Sequence, residues 1–217
     1  MDFTAARRRM VDSQVRTNDV TDLRLQTALE TIPREAFLPG ELRNQAYVER
    51  EIAYAQGRSL MTVRDFAKLV DAADPHPGEL CLAVATGTGY STAVLARLVD
   101  MVVAVEGDEA LAAAAQDNVT KLGVSNAAVL NAENKKGAAD QGPYDLVFID
   151  GVIEERPEEL LKQLKDGGRL AAIQRIGGVS RGVLYRRAGD AFACSEKFDA
   201  SARTVLPDFA AAKTFVF

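Results

Sequence analysis

Tryptophan is absent from the 217-residue chain, and cysteine and histidine are nearly so, with two cysteines and one histidine. These three side chains cannot supply the four ligands typical of a structural zinc site, so no metal is expected. Cys81 and Cys194 both lie in apolar stretches, and we expect both to be buried and unpaired. His76 lies in the turn-like segment DPHPG and is assigned no catalytic role.

Long hydrophobic runs are also lacking. No apolar stretch approaches the roughly 20 residues of a membrane span, and the N-terminal residues lack the apolar centre of a secretory signal. A cytoplasmic location and no membrane partner are therefore expected. Basic residues are not in excess either, since the net charge is −5, which argues against nucleic acid as a partner.

The chain is expected to form a single domain, 1–217, with an N-terminal helical cap and substrate loop (1–73) and a cofactor-binding sheet (79–217). Apolar residues at helical spacing predict helices at 5–15, 22–32 and 62–73, whereas the stretch up to Ser59 has loop character. After residue 79, short apolar strands alternate with helices, which predicts a mostly parallel sheet covered on both faces. The expected fold is α/β, Rossmann-like and doubly wound.

The C-terminal part has a different pattern. Strands are predicted at 182–187 and 192–198, and they should be antiparallel because no helix separates them. Residues 213–217 are a candidate for a further strand.

The segment CLAVATGTGYSTAVLARL, Cys81 to Leu98, has the order strand, glycine-rich turn, helix. This order recurs where nucleotides bind at the carboxyl edge of a parallel sheet. Gly87 and Gly89 would let the backbone approach a ligand. Glu106 ends the next strand, where a carboxylate accepts hydrogen bonds from both hydroxyls of a ribose. Glu133 follows the third strand, within reach of an adenine amino group.

Each of these features also has a purely structural interpretation. The glycines could make a tight turn, Glu106 could cap the helix that begins near Asp108, and Glu133 could be a surface residue. Together, at three successive strand ends, they favour nucleoside binding. Thr92 stands where a dinucleotide fingerprint has its third glycine, and no P-loop lysine follows. A turn without a pyrophosphate to hold suits S-adenosylmethionine.

Nearly the whole chain resembles the protein-L-isoaspartate O-methyltransferases, a branch of the class I S-adenosylmethionine-dependent enzymes. The blocks that carry the resemblance, in order, are the segment Pro33–Pro39, ATGTGYSTAVLARL, PYDLVFID and LLKQLKDGGRLA. The resemblance implies S-adenosylmethionine as cofactor and methyl transfer to isoaspartyl residues of damaged proteins as the activity, with an isoaspartyl protein or peptide as the partner.

The resemblance also implies roles for individual residues. Glu106 would hold the ribose of the cofactor and Glu133 its adenine. Ser59, with Thr62 as a neighbouring candidate, would hold the substrate. The methionine part of the cofactor would lie against the backbone of Ala85, Thr86, Gly87 and Gly89.

The chain departs from the family pattern at both loops. Ala83 and Ala85 replace an acid and a glycine of the cofactor loop, and a left-handed backbone at Ala85 would resist its methyl group. In the substrate loop, Arg58 replaces a glutamine and Met61 a serine. These changes should weaken the reaction without abolishing it, because a carboxylate acceptor is already ionised at pH 7 and needs no general base.

Three hypotheses therefore stay open. The first is a carboxylate methyltransferase acting on isoaspartyl residues. The second, motivated by Ala83, Ala85 and Met61, is a binding or regulatory module that has lost catalysis. The third is a methyltransferase with another acceptor, motivated by Asp150 at the end of an apolar strand, which could equally cap a helix. The sequence leaves the acceptor and the oligomeric state undetermined.

Overall fold

The computed structural model describes residues 2–212, and the candidate strand at 213–217 lies outside them. The helices are α1 (Phe3–Met10), α2 (Leu23–Thr31), α3 (Val63–Ala73), α4 (Tyr90–Leu95), α5 (Glu109–Lys121) and α6 (Glu158–Leu161). The strands are β1 (Ile52–Ala55), β2 (Arg58–Leu60), β3 (Leu80–Val84), β4 (Met101–Glu106), β5 (Ala127–Asn131), β6 (Tyr144–Ile153), β7 (Leu164–Ile176), β8 (Val179–Ala188) and β9 (Ala191–Asp199).

Seven strands form one sheet in the order β5-β4-β3-β6-β7-β8-β9. The first five of these are parallel to one another, while β8 and β9 are antiparallel to their neighbours. The prediction of a mostly parallel, doubly wound sheet with an antiparallel C-terminal pair is therefore confirmed. From β3 the chain builds β4 and β5 on one side and then β6 and β7 on the other, so a crevice opens between the carboxyl ends of β3 and β6.

Buried apolar residues line both faces of the sheet. On one face, the N-terminal helices and α3 share a continuous core with inward residues of the sheet, among them Phe66 and Phe148, whose rings meet edge to face at 5.8 Å. On the other face, Tyr144 and Leu160 belong to a second cluster. Across residues 2–212, every helix is too short or too polar to span a lipid bilayer.

Residues 52–60, predicted as a loop, instead form a two-stranded antiparallel hairpin. Ile52 pairs with Leu60 and Ala53 with Ser59, and the turn uses Gly57 at a φ of +66°. Ile52 and Leu60 point into the core and are 3% exposed each. These two apolar anchors attach the hairpin to the body of the protein just before α3, which places its turn above the carboxyl ends of the sheet strands.

The two cysteines differ in exposure, and the expectation that both are buried is wrong for one of them. Cys81 is fully buried in β3, whereas Cys194 is exposed on β9. The reason is position in the sheet: β9 is the last strand, and most of its side chains face solvent on both faces. Burial raises the pKa of the Cys81 thiol, which further suppresses its reactivity.

Cys194 should therefore be the single thiol that reacts in the folded protein. We expect one equivalent of Ellman's reagent to react under native conditions and two equivalents in guanidinium chloride. Cys194→Ser should abolish the native reaction, and Cys81→Ser should leave it unchanged. Two fast equivalents in the native state would contradict the burial of β3.

Candidate functional site

The crevice between β3 and β6 is bordered by two irregular segments. After β3 the chain turns through Ala85–Gly89 into α4. In β6 the pairing with β7 shifts register between Phe148 and Val152, and Asp150 lies in this irregular part. A sheet of this topology binds ligands where the strand order reverses, so both segments border the expected ligand position.

The turn after β3 uses the left-handed backbone region three times, at Ala85, Gly87 and Gly89, with φ of +56°, +55° and +95°. A glycine adopts this region freely, whereas a residue with a Cβ is strained there by about 1–2 kcal/mol. Ala85 is therefore strained, as the sequence analysis expected for a left-handed backbone at this position. The Thr86 hydroxyl is buried and hydrogen-bonded to that of Thr92, which ties the turn to the first turn of α4.

Glu106, at the end of β4, is fully buried and its carboxylate accepts four hydrogen bonds. Backbone N–H groups donate two of them, from Gly87 to Oε2 at 2.8 Å and from Asp108 to Oε1 at 3.1 Å. The Arg58 guanidinium donates the other two, from Nε to Oε2 at 3.1 Å and from Nη2 to Oε1 at 2.7 Å. A carboxylate offers about four lone-pair positions, so every acceptor position of Glu106 is used within the chain.

Two side chains of the hairpin cover the glycine-rich turn. Arg58 is 6% exposed, and its pairing with Glu106 outweighs desolvation and raises its pKa. The Tyr54 hydroxyl oxygen lies above Gly87, so close that a methyl group on Gly87 would fall 1.8 Å from it. Burial, and the carboxylates of Asp150 and Glu106, raise the pKa of the Tyr54 hydroxyl. It therefore remains neutral and covers the backbone as an uncharged group.

An open cleft of about 980 Å³ adjoins Arg58 and extends to the end of β5. Glu133 and Asn134 line it; Glu133 is exposed and pairs with Lys136 at 2.7 Å. The Asn134 side chain is 1% exposed and donates to Asp208 at 2.7 Å, while its Oδ1 has no partner among the described residues. This polar lining, at the end of the third parallel strand, can receive a planar base.

Asp150 has a strongly perturbed carboxyl group. Burial raises its pKa to about 6, against the opposing effects of the Ser91 hydroxyl and the Arg34 and Arg58 guanidinium groups. Burial outweighs its two positive neighbours, and the nearby Glu106 carboxylate also raises the pKa. Asp150 does not cap a helix, because the next helix, α6, begins only at Glu158 and its N-cap is Pro157. The structure thus favours a role for Asp150 as an acid at the crevice.

The expected substrate-loop residues have partners of their own. The Ser59 hydroxyl donates to Glu51 at 2.7 Å, and the Thr62 hydroxyl accepts from the Asp65 N–H at 3.1 Å as the N-cap of α3. Met61, in the place of the family serine, is 2% exposed and packs in the core. The substrate roles of Ser59 and Thr62 stay predictions. Ser59 would have to release Glu51 to donate to a substrate, whereas Thr62 accepts in its described hydrogen bond and can still donate its own O–H.

The sequence interpretation did not identify Arg58 and Tyr54 as site residues, although Arg58 pairs with Glu106 and the Tyr54 hydroxyl lies against Gly87. One sequence signal was available for Arg58: a cation in the loop that precedes α3, at a position where the family has a neutral glutamine. Its partner is 48 residues away, and no local pattern reports a pair of that separation. Tyr54 carried no comparable signal.

Comparison with known proteins agrees with this architecture. The family model described as protein-L-isoaspartate(D-aspartate) O-methyltransferase matches residues 6–194. A protein-L-isoaspartate O-methyltransferase from Koribacter versatilis is 33% identical over 183 residues, 84% of this chain and 82% of that protein. One from Roseiflexus castenholzii is 32% identical over 192 residues, covering 88% and 87%.

Solved structures share the fold over most of the chain. A protein-L-isoaspartate O-methyltransferase superposes with a TM-score of 0.81 at 22% identity, covering 93% of this chain and 67% of that one. A structure from Plasmodium falciparum, described with the abbreviation PCMT and in complex with S-adenosyl-L-homocysteine, has a TM-score of 0.76 at 16% identity, with 93% and 98% covered.

The fold and the strand-end carboxylate define the class: a doubly wound α/β domain with a nucleoside-type crevice at its switch point. Within that class the match is specific, because the family model covers far more than half of the chain. The chain belongs to the protein-L-isoaspartate(D-aspartate) O-methyltransferase family.

Restoring glycine at the strained turn should stabilise the protein. We expect Ala85→Gly to raise the free energy of unfolding by up to about 1 kcal/mol, since relief of the left-handed strain exceeds the added flexibility of the unfolded chain. Ala83→Gly is the matched control inside β3 and should lower it by about 1 kcal/mol. Urea denaturation measures both, and a loss of stability in Ala85→Gly would contradict the strain.

Asp150 should make stability depend on pH. Its pKa rises from 3.8 to about 6 on folding, so the folded state holds a proton that the unfolded state releases, and stability falls between about pH 4 and 6. Asp150→Asn should exceed the wild type by up to about 3 kcal/mol at pH 7, at roughly 1.4 kcal/mol per pKa unit. Below about pH 4 this pH-dependent gain should vanish.

Urea denaturation at pH 4 and pH 7 measures the difference. Asp117→Asn, an exposed aspartate on α5, is the control and should follow the wild type at both values. A constant offset between Asp150→Asn and the wild type across this range would contradict the raised pKa.

Proposed function

We propose that this chain transfers a methyl group from S-adenosylmethionine to the carboxylate of L-isoaspartyl residues in proteins or peptides. The observation that carries the proposal is the placement of Glu106, at the end of the second parallel strand and hydrogen-bonded to the backbone of the Gly87 turn. The family match supports the same activity, and a related fold with bound S-adenosyl-L-homocysteine supports the cofactor.

The residues fit the cofactor at one end and conflict with it at the other. The cleft beside Glu133 and Asn134 is open and polar, which suits an adenine. Glu106 has the chemistry that a ribose requires, but its acceptor positions are filled by Arg58. The described arrangement therefore leaves Glu106 no acceptor position for a ribose, and Arg58 must move before the sugar can bind there.

When bound, the cofactor supplies an electrophilic methyl group, and the acceptor carboxylate is already ionised because its pKa lies near 4. The protein therefore has to align the two groups and exclude water rather than remove a proton. In this proposal Ser59 orients the acceptor by a hydrogen bond, with Thr62 as the neighbouring candidate. The backbone from Ala85 to Gly89 would lie along the methionine part of the cofactor.

A second candidate function follows from Asp150. A carboxyl with a pKa of about 6 can accept a proton near neutral pH, which an amine or phenol acceptor requires and a carboxylate does not. Asp150 borders the same crevice, so it could serve a methyl acceptor of that kind. Turnover of an amine or phenol that is lost in Asp150→Asn would favour this candidate.

The proposed activity is tested with cofactor labelled in its methyl group. We expect base-labile label on an isoaspartyl peptide and none on the same peptide with ordinary aspartate. Ser59→Ala should lower kcat/KM about tenfold, the equivalent of one hydrogen bond of about 1.4 kcal/mol. Ser195→Ala, on the edge strand β9, is the matched control and should follow the wild type.

The Koribacter versatilis relative is the positive control for the peptide. Absence of label with this chain, under conditions where that relative labels the peptide, would refute the isoaspartyl assignment. The module without catalysis would then require separate support, namely binding of S-adenosyl-L-homocysteine without transfer.

A further inference from the structure

Arg58 matches the hydrogen-bonding pattern of a ribose. The two backbone N–H groups, from Gly87 and Asp108, leave one acceptor position on each oxygen of the Glu106 carboxylate. Arg58 donates one hydrogen bond to each oxygen and so fills both positions. A ribose diol would also donate two O–H groups to this carboxylate, so the guanidinium and the sugar compete for the same acceptors.

Tyr54 occupies the space that the glycine-rich turn leaves free. Gly87 has no side chain, and the backbone there is open to close approach. The Tyr54 hydroxyl occupies this open space, since any side chain on Gly87 would collide with it. Tyr54 lies on β1 and Arg58 on β2, so both obstructing side chains belong to the same hairpin, Ile52–Leu60.

The hairpin is held closed by contacts outside the crevice. Glu51, just before β1, accepts from the Ser59 hydroxyl at 2.7 Å and from the backbone N–H groups of Arg203 and Thr204 at 3.0 Å each. Burial of Glu51 opposes ionisation, but these bonds from Ser59 and Thr204 outweigh it and lower its pKa. At the turn, Gly57 packs against Pro207 so closely that no side chain fits between them.

We propose that the hairpin Ile52–Leu60 is an internal competitor of the cofactor, and that S-adenosylmethionine binds only when Arg58 has left Glu106. The inference rests on the proposed function, because it takes the crevice to be a cofactor site. Binding then requires the open form of the hairpin, and the apparent affinity is lowered by the fraction of molecules in that form. The cleft beside Asn134 is open in the closed form and gives the base an entry point.

The decisive variant is Arg58→Gln, which restores the neutral side chain of the family pattern. A glutamine amide carries both of its N–H donors on one nitrogen and cannot form the two parallel hydrogen bonds that the guanidinium makes with the oxygens of Glu106. Isothermal titration calorimetry with S-adenosyl-L-homocysteine compares the variant with the wild type. We expect the variant to bind at least tenfold more tightly.

Two further variants accompany this measurement. Arg169→Gln is the matched control: Arg169 forms a buried two-point pair with Glu79, at 2.8 Å for each contact, at the amino ends of the strands. It should bind the ligand as the wild type does. Arg58→Lys covers the case in which Arg58→Gln does not fold; an ammonium group is a point charge without the fork geometry, and a gain of several-fold is expected.

The competitor role is overturned if Arg58→Gln and Arg58→Lys bind the ligand no more tightly than the wild type, or if Arg169→Gln gains as much as they do. Absence of binding in the wild type and in all three variants also overturns it, because removal of the guanidinium would then not open the site. Failure of the proposed function looks different: Arg58→Gln would bind S-adenosyl-L-homocysteine tightly yet transfer no methyl group to the isoaspartyl peptide.

Discussion

The rest of the site depends on how the Glu106 carboxylate is neutralised. A fully buried carboxylate without partners would be strongly destabilising, and hydrogen bonds together with an opposite charge are the means by which proteins tolerate one. The backbone of the glycine-rich turn and of the entry to α5 supplies two donors, which fixes both segments against β4. The two remaining hydrogen bonds have to come from a ligand, from water or from elsewhere in the chain. In this protein Arg58 donates both and also supplies the opposite charge, and its hairpin therefore lies over the crevice.

Membership of the family is compatible with a crevice in which Arg58 of the same chain pairs with Glu106. The resemblance extends over the sheet, the strand-end carboxylate and the N-terminal helices, which are the parts that determine the architecture. The departures are at Arg58, which pairs with Glu106, at Ala85 in the turn, and at Met61 and Ala83, which are both buried in the core. They are mutually consistent. Alanine at the left-handed position 85, the absence of an acid at position 83 and the Arg58 guanidinium all lower the stability of a ligand complex relative to the closed form of the chain.

Much of the fold could be predicted because its signals are local. Alternation of short apolar strands with helices determines a doubly wound sheet, and the position of Glu106 after the second strand was evident from spacing alone. The expectation that a left-handed backbone would strain Ala85 also applies, since the φ of Ala85 is +56°. The hairpin was missed because its strands are only four and three residues long, with Ile52 and Leu60 as its only buried apolar anchors. The exposure of Cys194 was missed because a sequence does not report which strand lies at the edge of a sheet.

The contact between Arg58 and Glu106 could not be predicted in this way, because it is a tertiary pair between residues 48 positions apart in the sequence. A charged residue in a loop ordinarily favours solvent, and sequence patterns alone favour that interpretation. Asp150 is similar: its position at a strand end was visible, whereas its pKa depends on burial and on the charged groups that the fold brings near it.

The role of Glu51 has a consequence for how this protein is handled in the laboratory. One carboxylate bridges the base of the hairpin to backbone groups 152 and 153 residues further along the chain. The C-terminal segment is thereby mechanically coupled to the crevice, although it contributes no residue to the glycine-rich turn. A truncation that removes residues 203 and 204 would therefore remove two of the contacts that hold the hairpin in place.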